Sequence, residues 1–412
     1  MTEKAITNEI MVQEISTFDK LKKVILAIQH LIAMFGATVL VPILTGLDPS
    51  VAIFSAGLGT YIFHLCTKKR VPVFLGSSFA FIPGIIAVKQ AYGDLRYAQG
   101  GIVVAGLIYV IVSFAVEKIG VERIRKVLPA QVVGPMIMVI GLNLVPVAYG
   151  SAKTNFIVSI VTLLTAVCVT FFGKGLLKQL SIIIGVTTGY ILSAVMGIVD
   201  TTAVKTAALI AVPNFTLPKF DIAAIAVIAP VVLAVFMEHI GDITTNGQVV
   251  GQDFIKDPGL NRTLLGDGLA TMVAGLIGGP ANTTYGENTG VLAITKNYDP
   301  SILRMTAVFA MILGFVGKVG GFLKTIPVPV MGGISFMLYS MIALIGVQTI
   351  KNSKVEFNIK NIIIMATVLI LGLLPTYAKI NIGIPVTKTV SISGLSFAAI
   401  VGVIVNMILN RE

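Results

Sequence analysis

Apolar positions in this chain fall in long runs, separated by short charged or Gly/Pro-rich breaks. The runs divide it into about fourteen segments. In the first half they span roughly 24–45, 50–66, 71–88, 98–116, 128–148, 155–173 and 176–199; in the second, 222–243, 263–279, 280–295, 302–321, 326–347, 361–377 and 388–408. Most approach the ~20 residues with which a helix crosses a bilayer. Backbone groups in lipid must be satisfied within the segment, so the runs are expected to be helices and the fold an all-α polytopic membrane protein. The third segment (VPVFLGSSFAFIPG, 71–84) and the tenth (GGPANTTYGENTG, 278–290) are Gly/Pro-interrupted, so neither can be one continuous apolar helix. Non-helical backbone at membrane depth is tolerated where it is buried in protein or lines a cavity, and its free N–H and C=O groups are then available to a ligand.

Composition fits the pattern. Of 412 residues, 56% are apolar and 12% charged, and the mean hydropathy is +0.95. A soluble domain carries about 25% charge, so this chain lacks the polar surface for a water-soluble globule. Residues 1–23 are polar, lack the apolar core of a cleavable signal and read as a cytoplasmic tail. With that end inside, 21 of the 30 Lys and Arg residues face the cytoplasm. They lie in the tail, at Lys68–Arg70, Lys118, Arg123, Arg125 and Lys126, at Lys174 and Lys178, at Lys256, Arg262, Lys296 and Arg304, at Lys351, Lys354 and Lys360, and at Arg411. This bias has the expected sign and puts both termini in the cytoplasm. It accounts for the net charge of +11 without a nucleic-acid partner. Cys66 and Cys168 are too few for a disulfide framework, and no metal-ligand spacing, Gly-x-Ser-x-Gly or Lys-bearing phosphate loop is present. An enzyme, a metal or a cofactor is therefore not expected.

The halves echo each other. LPAQVVGPMIMVIGL (128–142) and IPVPVMGGISFMLYS (326–340) align Pro129 with Pro327, Val132 with Val330 and Gly134 with Gly332 at an offset of 198; an offset of 209 aligns His30 with His239, Gly57 with Gly266 and Gly59 with Gly268. Copies seven spans apart insert in opposite senses, a recurrent architecture of secondary transporters whose sites lie at interrupted helices.

Ionisable residues within spans mark substrate or ion paths by default. Here they are Glu238, His239 and Asp242 in the eighth segment and Glu287 in the tenth. Glu238 and Asp242, four apart, share a helix face. Both charged, they would repel, so one is expected to hold a proton. Asp242 is alternatively a solvated residue near a helix end, His239 and His30 packed helix residues, His64 an interface residue, and Asp267 the start of the ninth helix. Carboxylates accept from N–H groups, free backbone amides donate to carbonyl oxygens, and Phe79, Tyr285 and Tyr339 offer flat faces. A small planar molecule with alternating N–H and C=O groups suits this set. An inorganic anion does not.

At these residues the chain resembles the nucleobase–ascorbate transporter family of nucleobase–cation symporters, in its bacterial uracil permease branch. The family signature reads ENTGVLAITK here, from Glu287 through Asn288, Gly290 and Thr295 to Lys296; QHLIAMFG (29–36), LGSSFAF (75–81) and EHIGD (238–242) also match. The resemblance runs from about residue 24 to 408. It implies fourteen segments in two inverted sevens, with short antiparallel strands in segments three and ten. It also implies a core domain (24–116 and 222–321) that slides, elevator-like, against a gate domain (117–221 and 322–412), in a homodimer of the cell membrane. By motif match, Glu238 and Glu287 would hold the ring N–H and carbonyl edge of uracil. The amides of Phe79 and Gly286 would meet its carbonyls, Tyr285 and Tyr339 would pack on the ring, and Ser78 would support Glu287, with Asn288 beside it. Glu287 favours uracil over xanthine or urate, whose carriers usually have Gln there. Asp242 departs from the His of some uracil permeases, so the proton-coupling partner of Glu238 can differ. The function so implied is uracil–proton symport, with sodium open as the coupling ion. A purine carrier is the near alternative and an anion carrier of the same fold the distant one.

Overall fold

A computed structural model describes residues 3–120, 129–380, 382–385 and 391–410; Arg123, Arg125, Lys126, Arg411 and the start of the last apolar run lie outside them. Among the described residues the chain is predominantly helical, and seven helices are long and apolar enough to cross a membrane.

Helix α1 (Glu3–Thr45) absorbs most of the polar tail into one rod with the first span, and α2 (Pro49–Cys66) follows. Asp48 caps α2 by accepting from the amides of Ser50 and Val51, with Pro49 at the first helical position. The third segment is then a strand, β1 (Leu75–Ser77), a 3-10 turn (Phe79–Phe81) and α3 (Ile82–Tyr92). Next come α4 (Arg96–Ile119), α5 (Ala130–Ala152), α6 (Phe156–Phe172) and α7 (Ser181–Val195). The eighth segment breaks at a 3-10 turn over Ala229–Val231, where Pro230 cannot donate, into α8 (Ile222–Ile228) and α9 (Val232–Val250). It runs seven residues beyond the expected end at 243. Helix α10 (Leu260–Ile277) leads to β2 (Asn282–Thr284) and α11 (Gly286–Thr295). The expected segment 302–321 is two helices, α12 (Pro300–Gly314) and α13 (Gly317–Lys324). The chain ends with α14 (Val328–Asn352), α15 (Ile359–Tyr377), a hairpin of β3 (Gly383–Pro385) and β4 (Ser391–Ser393), and α16 (Gly394–Leu409).

Small residues let the helices approach closely, as expected where lipid removes the hydrophobic drive between spans. In the crossing of α4 and α10, a Cβ on Gly106 would lie 2.7 Å from Gly268 O, and one on Gly268 3.0 Å from Gly106 O. Helices α5 and α14 pair the same way through Gly134 and Gly346. Pro129 and Pro327, aligned by the sequence echo, sit in the same place, just before α5 and α14.

The extended stretch 207–221 runs along the ends of other elements. Ala211 N donates to Phe315 O and Gly317 N to Leu209 O, Phe215 meets Phe54 edge-on, and Lys219 N donates to Arg96 O.

Candidate functional site

The two interrupted segments meet. Strands β1 and β2 pair antiparallel, with Leu75 opposite Thr284, Gly76 opposite Thr283 and Ser77 opposite Asn282, all buried. The register is symmetric about Gly76 and Thr283, and the flanking bonds share that symmetry: Ser78 N donates to Ala281 O (2.8 Å) and Tyr285 N to Phe74 O (3.0 Å). Threonines repeat it again. Thr60 of α2 bonds both backbone groups of Leu75, and Thr271 of α10 donates to Asn282 O. Three-residue strands cannot stand alone, so neighbouring helices satisfy what the ladder leaves open.

Each strand feeds a helix start. Ser78 and Tyr285 hold the N-cap positions, yet neither side chain caps, leaving the amides beginning at Phe79 and Gly286 uncapped. Such helix starts are donor sites carrying the positive end of the helix dipole. Gly286 is exposed, with open space where a Cβ would sit, and Phe79 and Glu287 are partly exposed. Glu287 occupies the first turn of α11, where a carboxylate gains about 0.3–1 kcal/mol from the dipole.

Helix α9 brings the second set. Glu238 and Asp242 are partly exposed and Gly241 between them is exposed, so this face opens onto the strand crossing. Glu238 lies within electrostatic range of Asp242, Asp267 and Glu287. Asp242 is not a solvated helix end: α9 continues to Val250, and Asp242 Oδ2 accepts from Thr284 Oγ1 at 2.7 Å, tying α9 to β2. Farther along, Asn246 donates to Pro72 O and to Thr289 Oγ1.

Other expected residues make contacts within the fold. Tyr285 packs its ring against β1, a Cβ on Gly76 being only 2.3 Å from it, and its hydroxyl donates to Ser77 O at 3.0 Å. Asn288 donates to His30 Nδ1 and O, both at 3.1 Å, joining α11 to α1. Ser78 makes no hydrogen bond to Glu287; its hydroxyl is buried without a partner among the described residues. Tyr339 is fully buried on α14 in an apolar cluster that Phe79 borders. His64 is no interface residue: it is wholly buried and bonds Val73 O at 3.0 Å, supporting the approach to β1.

Sequence reasoning missed one group. Asp267 does not begin a helix, since α10 starts at Leu260; it is fully buried and lies 3.3 Å from His239 Nδ1, whose Nε2 meets Thr263 Oγ1 at 3.0 Å. Thr263 and Asp267, four apart on α10, share a face. That spacing was the only available sign.

Buried helices, two of their segments broken to meet at a strand pair, and carboxylates beside uncapped helix starts have the character of a multi-pass membrane transport protein. Residues 21–381 match the model of a family described as the permease family, and the chain belongs to it, the nucleobase–ascorbate transporters. It is 41% identical over 415 residues to a probable uracil permease of Haemophilus influenzae, spanning 98% of each chain. It is 42% identical to the uracil permease of Bacillus caldolyticus, over 93% of this chain and 91% of that one. Among solved structures, the transmembrane domain of a cyanobacterium bicarbonate transporter, BicA, shares the fold, with a TM-score of 0.63 at 13% identity over 95% of this chain and 97% of that one.

Proposed function

We propose that this protein imports uracil together with a proton. The observation that carries the reading is the strand crossing, with uncapped amides at Phe79 and Gly286, Glu287 in the first turn of α11, and α9, which bears Glu238 and Asp242 on one face, tied to β2 by the Thr284–Asp242 bond, in a chain about 40% identical to proteins named uracil permeases. The carboxylates accept the ring N–H groups, and the amides meet the carbonyls. Tyr285, whose ring lies against β1, and Tyr339 pack on the uracil ring. Asp242, held by Thr284, shares with Glu238 the proton that couples transport; like charges on one helix turn favour one shared proton. Proton arrival relieves that repulsion and prepares the site for a neutral base.

The symmetric strand register and its matched threonine and amide bonds support fourteen segments in two inverted sevens. On this plan residues 24–116 and 222–321 form a core that moves past a gate formed by 117–221 and 322–412. The protein acts as a homodimer, and both termini are cytoplasmic. The bicarbonate transporter shares the fold, but carboxylates beside the strand crossing would repel an anion and argue against one as this chain's substrate.

Labelled-uracil uptake into proteoliposomes, with a pH gradient and a sodium gradient imposed separately, tests this. Uptake should follow the inward proton gradient and collapse with a protonophore. Uptake indifferent to both, or driven by sodium alone, overturns proton coupling. Competition by unlabelled xanthine as strong as by uracil overturns the substrate.

A further inference from the structure

Residues 203–221 follow α7 directly in sequence, but their bonds lead elsewhere. The stretch completes a short helical turn (Thr202–Thr206) and continues extended to α8. Near its start, Lys318 Nζ of α13 donates to Val204 O at 2.8 Å and to Lys205 O at 3.2 Å. Ile210 then pairs with Val316 between α12 and α13. Farther on, Thr216 N donates to Ile277 O, and the Thr216 hydroxyl bonds the buried side-chain amide of Gln99. That amide also donates to Gly278 O, where the tenth segment begins. Lys219 Nζ lies 3.2 Å from Asp94 Oδ2, and the Tyr92 hydroxyl donates to Asp221. Glycines bring backbone against backbone: a Cβ on Gly100 of α4 would lie 2.1 Å from Lys219 O, and one on Gly317 2.5 Å from Ala208 O. Among the described residues, every hydrogen bond that leaves 203–221 ends within 24–116 or 222–321.

The residues just before are tied the other way. The amides of Met196, Gly197 and Ile198 return to Leu192, Ala194 and Ser193 of α7, with Gly197 at φ +69° closing the helix. Between these two sets stand Val199–Thr201, whose hydrogen bonds among the described residues reach only Thr202 and Lys205. We infer that 203–221 is a strap of the moving core and that Val199–Thr201 is the hinge joining it to the gate. The inference rests on the core-and-gate reading above and draws the gate boundary back from 221 to 201. Sliding the core beneath a strap held by the gate would break the backbone bonds at Ala211, Thr216, Gly317 and Lys219 together, and the buried Gln99 contacts with them. Turning three residues that carry no such bonds breaks none of these, and a few loop residues suffice to absorb a domain motion. Three residues reach at most ~10 Å, so the joint is short.

Two bridges, read by labelled-uracil uptake into proteoliposomes, test the strap. Ala211→Cys with Gly317→Cys ties it to α13 from Cβ positions 2.9 Å apart, a small shift from the roughly 3.8 Å typical across a disulfide. Gly36→Cys with Ile182→Cys ties core to gate. Oxidation should leave uptake through the first protein at its reduced rate and abolish uptake through the second. A strap bridge that arrests uptake until it is reduced overturns the inference alone. Uptake that continues through both bridges overturns the sliding reading and the inference with it. Should the strap bridge not form, hydrogen exchange in the unmodified protein decides: peptides over 208–221 should exchange roughly tenfold more slowly than those over Val199–Thr201, and equal rates overturn the strap.

Discussion

Two residues show how narrowly the site is built. Glu287 stands in the first turn of α11, partly exposed, and is proposed to accept from the uracil ring. Replacing it by alanine removes a charged hydrogen-bond acceptor worth about 1.5–3 kcal/mol, or roughly 10- to 150-fold in affinity. Calorimetric titration of uracil should show that loss in a Glu287→Ala protein that still elutes as a folded species; wild-type affinity would remove Glu287 from the site. Gly76 is small for a different reason. Its Cα faces the Tyr285 ring, and a methyl placed 2.3 Å from that ring must push the ring or the strand aside. Overpacking of this kind costs about 1–3 kcal/mol. Gly76→Ala should lower the unfolding temperature in detergent and impair uptake together, whereas an unchanged melt would mean the ring yields freely.

At the scale of elements, the seven helices long and apolar enough to cross a membrane were legible because length and apolarity alone decide them. The broken third and tenth segments were legible because Gly and Pro interrupt their apolar runs. What stayed hidden depends on partners far away in sequence. The Asp267–His239 contact joins α10 to α9, the 207–221 stretch takes its bonds from Phe315 and Arg96, and the β3–β4 hairpin is closed by pairing rather than by hydropathy. At the strand crossing, the interrupted backbone was readable, but Thr284's bond to Asp242 was not, since a lone threonine has no distinguishing spacing. Helix starts give a further test. Asp299 caps α12 through Ser301 N and pairs with Lys23 of α1 at 2.8 Å. Burial works against its ionisation, but Lys23 and the hydroxyl and amide of Ser301 outweigh it and hold the carboxyl at about 2, below the ordinary 3.8. A depressed folded-state value means the stabilisation is present above about pH 4 and fades as pH falls towards 2. Asp299→Ala should therefore cost about 1 kcal/mol at pH 7 and less at pH 3. An equal cost at both values would assign the effect to helix propensity alone. The Gly106–Gly268 crossing predicts more damage: Gly268→Val must drive α4 and α10 apart, which loss of stable expression would report and wild-type yield would refute.

For the whole molecule, the proposed sliding of core past gate can be arrested at a chosen place. A Cβ on Gly36 of α1 lies 3.4 Å from that of Ile182 on α7, close to the roughly 3.8 Å typical across a disulfide. A Gly36→Cys/Ile182→Cys protein should bind uracil when oxidised yet not transport it, and recover transport on reduction. Transport that continues through a quantitatively formed bridge would show that α1 and α7 need not part. The strand pair bears on an earlier moment in the protein's life. Leu75 and Thr284 belong to opposite halves of the chain, so when the first half has entered the membrane its broken segment still lacks a partner for its open backbone. Those unmet groups are costly in lipid. During biogenesis they must wait, sheltered by water, by neighbouring spans or by the insertion machinery, until some two hundred further residues have emerged. The strand pair thus sets a minimum length of chain, through Thr284, that must be made before this part of the fold can close.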